Sequence, residues 1–334
     1  MSVGVGWQRA LAYLARRRAV GILLLIAIVV ATVTAINPAF LEAGNLRDLL
    51  VNAAPIAIVS CGVMLVIITA EIDISVGSLM GFLAACLGTF TSPSHLGFGL
   101  APAIVLMIGI GALVGFCNGV LVTVARVPSI IVTLGMLTAL SGATEMVMGG
   151  EWITDLPSSL RFFGTGEFLG VPVSVGAACV VIAITGLILY VMPLGRRIYA
   201  VGSNREAARL AGLSERNLKL FVFTFTGLVA GVAVLVSAPQ LSVIDSGFGV
   251  GNELLVVTCV VVGGVSISGG VGSLGGVMAA TLLLTMISTV LIFMRLGDYA
   301  TYGARAIQGS FILAAVLIDH FAGVIAEKRR SPIA

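Results

Sequence analysis

Long apolar runs divide this chain of 334 residues from one end to the other. Backbone groups inside a bilayer must be hydrogen-bonded within the protein, so a run of about 20 apolar residues predicts a membrane-spanning helix. Ten runs are candidates, eight of them without Asp, Glu, Lys or Arg: 19–36, 51–70, 75–90, 99–125, 129–148, 171–192, 220–241, 254–268, 271–294 and 300–319. Two of them, 75–90 and 254–268, are short and are expected to be tilted, partial or re-entrant helices. The pattern predicts an all-α, polytopic integral membrane protein with about ten transmembrane helices, forming one transmembrane domain over 1–334.

The charge content excludes a water-soluble fold. Charged residues make up 10% of the chain and apolar ones 59%, against about 25% and 45–50% in an average soluble domain. The net charge of +3 does not indicate nucleic acid, because the basic residues sit in short loops, where they are typical of topology signals. The five cysteines and two histidines show no metal-ligand spacing, which predicts no metal site.

The distribution of Lys and Arg predicts the orientation in the membrane. Basic residues concentrate before the first span, in the loop 193–219 and in the tail at 328–330, so these parts are expected in the cytoplasm. The loops 91–98, 149–170 and 242–253 are poor in them and are expected outside. Ten crossings place both termini in the cytoplasm. The first apolar run has 18 residues, longer than a typical signal-peptide core, so we expect a retained span.

Two segments interrupt the apolar pattern and predict broken or short helices near 71–78 and 263–276. In the first, Glu71 and Asp73 lie between two spans. They fit either a solvated cytoplasmic turn or functional acids within the membrane. In the second, half of the 14 residues are glycine, which fits close helix packing as well as a solute-lining backbone.

The two segments also resemble each other. V-G-S-L-M-G-F-L-A-A-C-L at 76–87 aligns with V-G-S-L-G-G-V-M-A-A-T-L at 271–282, with eight of twelve positions identical. Both copies run from inside to outside under the ten-span topology. An internal repeat with broken helices is a pattern found in transporters.

The cytoplasmic loop 195–219 predicts a short cationic helix outside the membrane. Ser203 and Glu206 have the spacing of a capping box, and Gly212 suits the left-handed residue after a helix end. Such a helix fits either the surface of an anionic membrane or a docking site on another protein. Ala207 and Ala208 offer little apolar area to lipid, which favours docking.

The chain has no motif for hydrolysing nucleotides and no catalytic set. Lys219 and Lys328 are its only lysines and neither follows a glycine, so the phosphate-binding loop of ATPases is missing. No Ser/His/Asp or Cys/His arrangement stands out. We therefore expect a protein that is not an enzyme and binds no cofactor itself.

Four motifs resemble those of the permease subunits of bacterial ABC sugar importers, the ribose/xylose/rhamnose and autoinducer-2 type. E-I-D-I-S-V-G-S at 71–78 is similar to that family's G-G-I-D-L-S-V-G-S, and V-P-S-I-I-V-T-L-G at 127–135 to its P-x-F-I-x-T-L-G. Gly202, Asn204, Ala207, Ala208 and Gly212 match its cytoplasmic G-x-N-x-x-A-A-x-x-x-G loop, and the glycine segment 263–276 matches a fourth motif. Glu71 and Ser129 depart from the pattern, where glycine and phenylalanine are usual.

This resemblance implies a subunit of an importer in the bacterial inner membrane. Its partners would be a second permease subunit, the same or related, two cytoplasmic ATP-binding subunits and a periplasmic solute-binding protein. The loop helix would be the coupling helix that contacts the ATPase. The implied coupling residues are Ser203, Asn204, Arg205, Glu206, Ala207, Ala208 and Gly212.

Polar residues within the spans are candidates for the solute pathway. They are Asn52, Asp73, Ser75, Asn118, Thr133, Ser141, Thr144 and Thr258. Each also fits a hydrogen bond between packed helices. Three other functions stay open: an ion-coupled secondary transporter using an acid such as Glu145 or Asp73, an ABC permease for branched-chain amino acids, and a membrane enzyme or scaffold.

Overall fold

The computed structural model describes residues 18–294, 303, 306–311 and 313–314. Both predicted cytoplasmic termini, and most of the predicted span 300–319, lie outside these residues. The helices are α1 (Arg18–Ile36), α2 (Ala43–Ile68), α3 (Val76–Thr91), α4 (Leu100–Thr123), α5 (Ser129–Met148), α6 (Arg161–Thr165), α7 (Val173–Gly186, continued by a π-helical turn Leu187–Val191), α8 (Pro193–Ser203), α9 (Arg205–Leu210), α10 (Glu215–Ser237), α11 (Asn252–Val262) and α12 (Leu274–Phe293). Two short strands, Glu167–Phe168 and Val171–Pro172, form a hairpin.

Seven of these helices are long and apolar enough to cross a membrane. They are α1, α2, α4, α5, α7 with its π turn, α10 and α12. The predicted short spans correspond to α3 and α11, of 16 and 11 residues, which fall below that length. The structure therefore confirms a polytopic helical protein, whereas the count of ten stays a prediction. Helix α2 begins eight residues before the predicted span because its first turns carry polar side chains, such as Asn45 and Arg47.

The core is built around α2 and α10. Every residue of α2 from 53 to 68 is buried, as expected for a helix that is apolar on all sides and surrounded by protein. Helix α10 packs closely on α4 through glycines. A Cβ atom at Gly111 would lie 2.5 Å from the carbonyl oxygen of Gly227, so neither position has room for a side chain.

The helix ends fall into two groups. Helix α9 lies beside the last residues of α2 and the segment before α12, and we call this the α9 end of the bundle. At the opposite end, Ile153 and Ile244 form an isolated antiparallel bridge. Asp155 accepts hydrogen bonds there from the hydroxyls of Ser92 and Ser94 at 2.7 Å each. These bonds lower the pKa of Asp155 to about 2.

An irregular segment, 241–251, runs from the opposite end into the bundle along α3. Glycines on α3 make room for it: a Cβ at Gly88 would meet Ile244, one at Gly81 would lie 2.6 Å from the carbonyl oxygen of Phe248, and one at Gly77 would overlap with Glu253. Helix α11 then continues towards the α9 end. Non-helical backbone at membrane depth is tolerated only where it is surrounded by protein or lines a cavity. The groove on α3 surrounds the segment 241–251 with protein in this way.

Candidate functional site

The two interruptions predicted from the sequence meet at the α9 end. The amide of Gly270, in the second, donates to the carbonyl oxygen of Ile68, at the start of the first, over 2.9 Å. Gly202, near the end of α8, lies on this contact so closely that a Cβ there would overlap with the same carbonyl. The chain leading into α9 is thus packed against both interruptions at once.

The predicted capping box of Ser203 and Glu206 is wrong. Ser203 is the last residue of α8, and its hydroxyl donates to the carbonyl of Tyr199. The N-cap of α9 is Asn204, whose Oδ1 accepts from the amide of Ala207 at 2.9 Å. An N-cap needs extended backbone, which Asn204 has and Ser203, inside the preceding helix, does not. Glu206 instead pairs with Arg209 at 2.6 Å.

The predicted short helix and its C-terminal glycine are confirmed, whereas its contact with an ATPase stays a prediction. Gly212 has a φ of +77°, the left-handed conformation expected after a helix end. Helix α9 presents one face outwards, with Glu206, Ala207 and Arg209 exposed, while Ala208 is buried against the protein. Sequence reasoning missed Leu210, the last residue of α9, which is 80% exposed.

The acids of the first interruption are buried, which overturns a solvated turn. Glu71 is bound by Lys219 Nζ at 2.6 Å and by Arg205 Nη2 at 2.7 Å. Glu215 completes the cluster by pairing with Lys219 and, at 3.5 Å, with Arg205. Two acids and two bases therefore balance, which a buried charge requires. Arg205 is the first residue of α9, so this four-residue cluster joins α9 directly to the first interruption and to α10.

Asp73 belongs to a second network, in which its hydrogen-bond partners are uncharged. Its Oδ1 accepts from the amide of Ser75 at 2.9 Å and from the Ser75 hydroxyl at 2.6 Å. The Ser75 oxygen in turn accepts from Asn118 Nδ2 at 3.1 Å, and all three residues are buried. Four of the predicted pathway residues thus come together here, because Thr133 donates at 3.4 Å to the carbonyl of Ile72 beside Asp73.

The second interruption is held by two tyrosines and a cap. The hydroxyl of Tyr199 donates to the carbonyl of Gly272 at 2.9 Å, and that of Tyr190 accepts from the amide of Leu274 at 3.0 Å. Ser273 caps α12 by accepting from the amide of Gly276. Helices α3 and α12, which contain most of the two similar sequences, both begin near the α9 end and therefore run in the same direction.

The remaining predicted pathway residues lie apart from this network. Thr144 and Thr258 are buried and donate to the carbonyl four residues earlier in their own helices. Ser141 does the same on an exposed face of α5. Asn52 lies farther from the α9 end and lines a cavity.

That cavity, which we call the polar cavity, has a volume of about 380 Å³ and lies between α2, α3, α10, α11, α12 and Gln308. The described residues that line it include amides and hydroxyls and none with a charge. A larger cavity of about 660 Å³ at the α9 end has the opposite character. It is lined by charged residues, including the Glu71 cluster and Arg126.

Comparison with known proteins gives the following matches. The family model described as branched-chain amino acid transport system / permease component matches residues 45–318. The ribose import permease protein of Haemophilus influenzae is 34% identical over 300 residues, covering 89% of this chain and 91% of its own. The autoinducer 2 import system permease protein of an Enterobacter species is 33% identical over 306 residues (92% and 88%). The L-arabinose ABC transporter permease protein of Azospirillum brasilense is 33% identical over 304 residues (90% and 87%). No solved structure matches significantly.

Proposed function

The chain belongs to the branched-chain amino acid transport system / permease component family, and from this premise we propose that it is the transmembrane subunit of an ATP-driven importer for a sugar or sugar-like solute. In this proposal a periplasmic binding protein delivers the solute, which crosses the bacterial inner membrane between this subunit and a second, related one. Separate cytoplasmic subunits bind and hydrolyse ATP. In this proposal the cytoplasm is on the side of α9, and both termini are cytoplasmic.

The observation that carries the coupling role is the position of α9. Its outer face is exposed, with a large apolar side chain, Leu210, at its tip. Its inner side is bonded through Arg205 to Glu71 and, through Gly202 and Ser203 just before it, packed on the second interruption. A partner that moves α9 would therefore pull on the starts of α3 and α12 together. This fits a coupling helix seated in an ATPase.

Two observations support a sugar as the solute. The three relatives named above are permeases for ribose, autoinducer 2 and L-arabinose. The polar cavity is lined by uncharged hydrogen-bonding groups, which suits hydroxyls. A branched-chain amino acid is the second candidate, because the matching family model carries that description. Its ammonium and carboxylate groups would need charged partners when removed from water, and the polar cavity offers none among its described residues.

The first experiment tests the coupling role by co-purification. The tagged chain is isolated from membranes of its bacterial host, and the ATP-binding subunit that accompanies it is identified and quantified. Leu210→Asp and the bulky replacement Ala207→Trp should each reduce the recovered ATPase subunit at least tenfold. Leu169→Asp is the matched control, since Leu169 is 90% exposed and lies in the hairpin turn that precedes α7, away from α9.

The outcomes separate the candidates. Recovery of the ATPase with the unaltered chain and with Leu169→Asp, and its loss with both α9 variants, supports the importer. Absence of any ATPase from the unaltered chain, under conditions that preserve other ABC complexes, contradicts it. Uptake that continues after ATP depletion but stops when the ion gradient is collapsed would identify an ion-coupled transporter instead.

A further inference from the structure

We propose that the polar cavity, which opens at the surface of this subunit where Asn52 and Ser288 are exposed, is a binding site for the transported solute, and that it takes a hydroxyl-rich molecule without charge. The inference rests on the proposed function and adds a location to it. Of the pathway residues predicted from the sequence, Asn52 alone lines this cavity, so its other lining residues are known only from the structure.

Several hydrogen-bonding side chains line the cavity without partners in the protein. Within the described part of the chain, five of its polar side chains make no hydrogen bond to protein: Asn52, Asn252, Ser288, Thr289 and Gln308. Three others, Ser237, Gln240 and Thr285, donate to the carbonyl four residues earlier. Unpaired polar groups at membrane depth cost free energy unless water or a ligand binds them, so five of them around one cavity indicate a wet site.

The cavity lies far from the α9 end of the bundle. Asn52 precedes the end of α2 at Ile68 by 16 residues, and Ser288 follows the start of α12 by 14. At 1.5 Å per residue these positions lie about 24 Å and about 21 Å from the α9 end, against about 30 Å for the hydrocarbon core. The cavity therefore lies in the half of the bundle away from α9, where a solute arriving from the binding protein would enter.

The residues that line the cavity suit a sugar chemically. Amides supply both donors and an acceptor, and hydroxyls supply either, which is the mixture that neighbouring sugar hydroxyls require. Ile56, Met80 and Phe248 add an apolar wall that suits the C–H face of a sugar ring. Glu253 follows Asn252 in sequence but does not line the cavity, because its carboxylate accepts from the amide of Gly251.

Labelling tests whether the cavity is open to water, whatever the solute. Single cysteines replace Asn252 and Ser288 after the exposed Cys117 and Cys179 have been changed to serine. Both should react with a membrane-impermeant maleimide added from outside, at least tenfold faster than a cysteine at the buried Thr226. Labelling no faster than at Thr226 would overturn the proposed site.

Transport tests whether the site binds solute. The complete complex, with its ATPase and binding protein, is reconstituted in liposomes and supplied with radiolabelled D-ribose, L-arabinose or L-leucine. Asn252→Leu and Ser288→Ala keep size but remove hydrogen bonds, and each should reduce sugar uptake at least tenfold while ATP hydrolysis without solute continues. Thr138→Val is the control, because Thr138 is exposed on α5 and bonds only within its own helix.

The results distinguish this inference from the proposed function. Normal sugar uptake by both variants would overturn the binding site and leave the importer intact. If the unaltered complex takes up leucine and neither sugar, two claims are overturned: that the importer carries a sugar and that the polar cavity binds an uncharged solute. Reduced uptake in the two cavity variants, with normal uptake in Thr138→Val, supports the site.

Discussion

The Nζ atom of Lys219 lies 2.6 Å from Oε1 of Glu71, and the two side chains are only 5% and 9% exposed. Glu71 comes just after α2 and Lys219 from the second turn of α10. Arg205 binds the same carboxylate oxygen from α9. The position of α9 is thus coupled electrostatically to the segment that opens α3.

A double-mutant cycle on this pair should show strong coupling. Removing one partner leaves the other charge buried, so Glu71→Gln and Lys219→Met should each destabilise the protein, and the double variant less than the sum. We expect a coupling free energy of about 1–3 kcal/mol, measured by SDS-induced unfolding in mixed micelles. The control cycle uses Glu206 and Arg209, which are equally close at 2.6 Å but 69% and 74% exposed, and should give less than about 0.5 kcal/mol. Equal coupling in the two cycles would contradict the interpretation.

Gly202 should tolerate no side chain. In Gly202→Ala the new methyl overlaps with the Ile68 carbonyl, which cannot move freely because it accepts from Gly270. We expect a loss of about 1–3 kcal/mol in unfolding free energy and at least tenfold slower uptake. Gly109→Ala, where no atom lies within 4 Å of the added Cβ, should behave like the unaltered protein. Unchanged uptake in Gly202→Ala would show that the two interruptions can separate without consequence.

The buried network around Ser75 predicts an order of effects. Asp73→Ala leaves two donors of Ser75, the amide and the hydroxyl, without their acceptor, at a cost of about 1–3 kcal/mol. Asn118→Leu removes one bond and leaves Ser75 bonded to Asp73, so its cost should be about 1 kcal/mol or less. SDS unfolding of the two purified variants measures both values. The reverse order would mean that Asn118, and not Asp73, organises this network.

The loop at the opposite end should resist acid. Because the folded-state pKa of Asp155 is about 2, below its ordinary 3.8, ionised Asp155 stabilises the loop at all pH values above about 4. That contribution is lost as the pH falls through about 2. Fluorescence of Trp152, measured after replacing Trp7 with phenylalanine, should show a transition centred near pH 2. Asp155→Asn should abolish this transition, and an unchanged titration in that variant would assign it to another group.

Prediction from sequence worked best where one physical rule acts over a long segment. Apolar length located α5 to the residue and most other spans to within a few, because burial in lipid imposes it on the whole helix. Gly212 was predicted because its left-handed backbone is a local requirement. The predicted capping box was wrong because Ser203 and Asn204 are adjacent and both residue types are common N-caps. The choice between them depends on where α8 ends.

The sites were harder to predict because their partners are distant in sequence. Glu71 is stabilised by Arg205, 134 residues away, so the local pattern could not decide between a solvated turn and buried acids. Ser129 and Glu71, the two departures from the family motifs, both line the cavity at the α9 end, and the Ser129 hydroxyl accepts from the amide of Ile72 at 3.1 Å. These two departures from the family motifs therefore lie where α9 meets the bundle, and neither residue lines the polar cavity. No local sequence pattern marks Ser288, Thr289 or Gln308, because they line a cavity only once the helices have packed together.

The groove on α3 has a consequence for biosynthesis. Helix α11 has 11 residues and measures about 16 Å, roughly half of a bilayer core, so the insertion machinery cannot recognise it as a complete hydrophobic span. The irregular segment before it is stable in the membrane only against the glycines of α3. Because α3 is synthesised some 160 residues earlier, we expect its groove to be in place when 241–262 leaves the ribosome. We therefore expect 241–262 to enter the membrane by folding onto α3 and the other helices made before it. Substitutions of the α3 glycines should then impair insertion of this segment rather than transport itself.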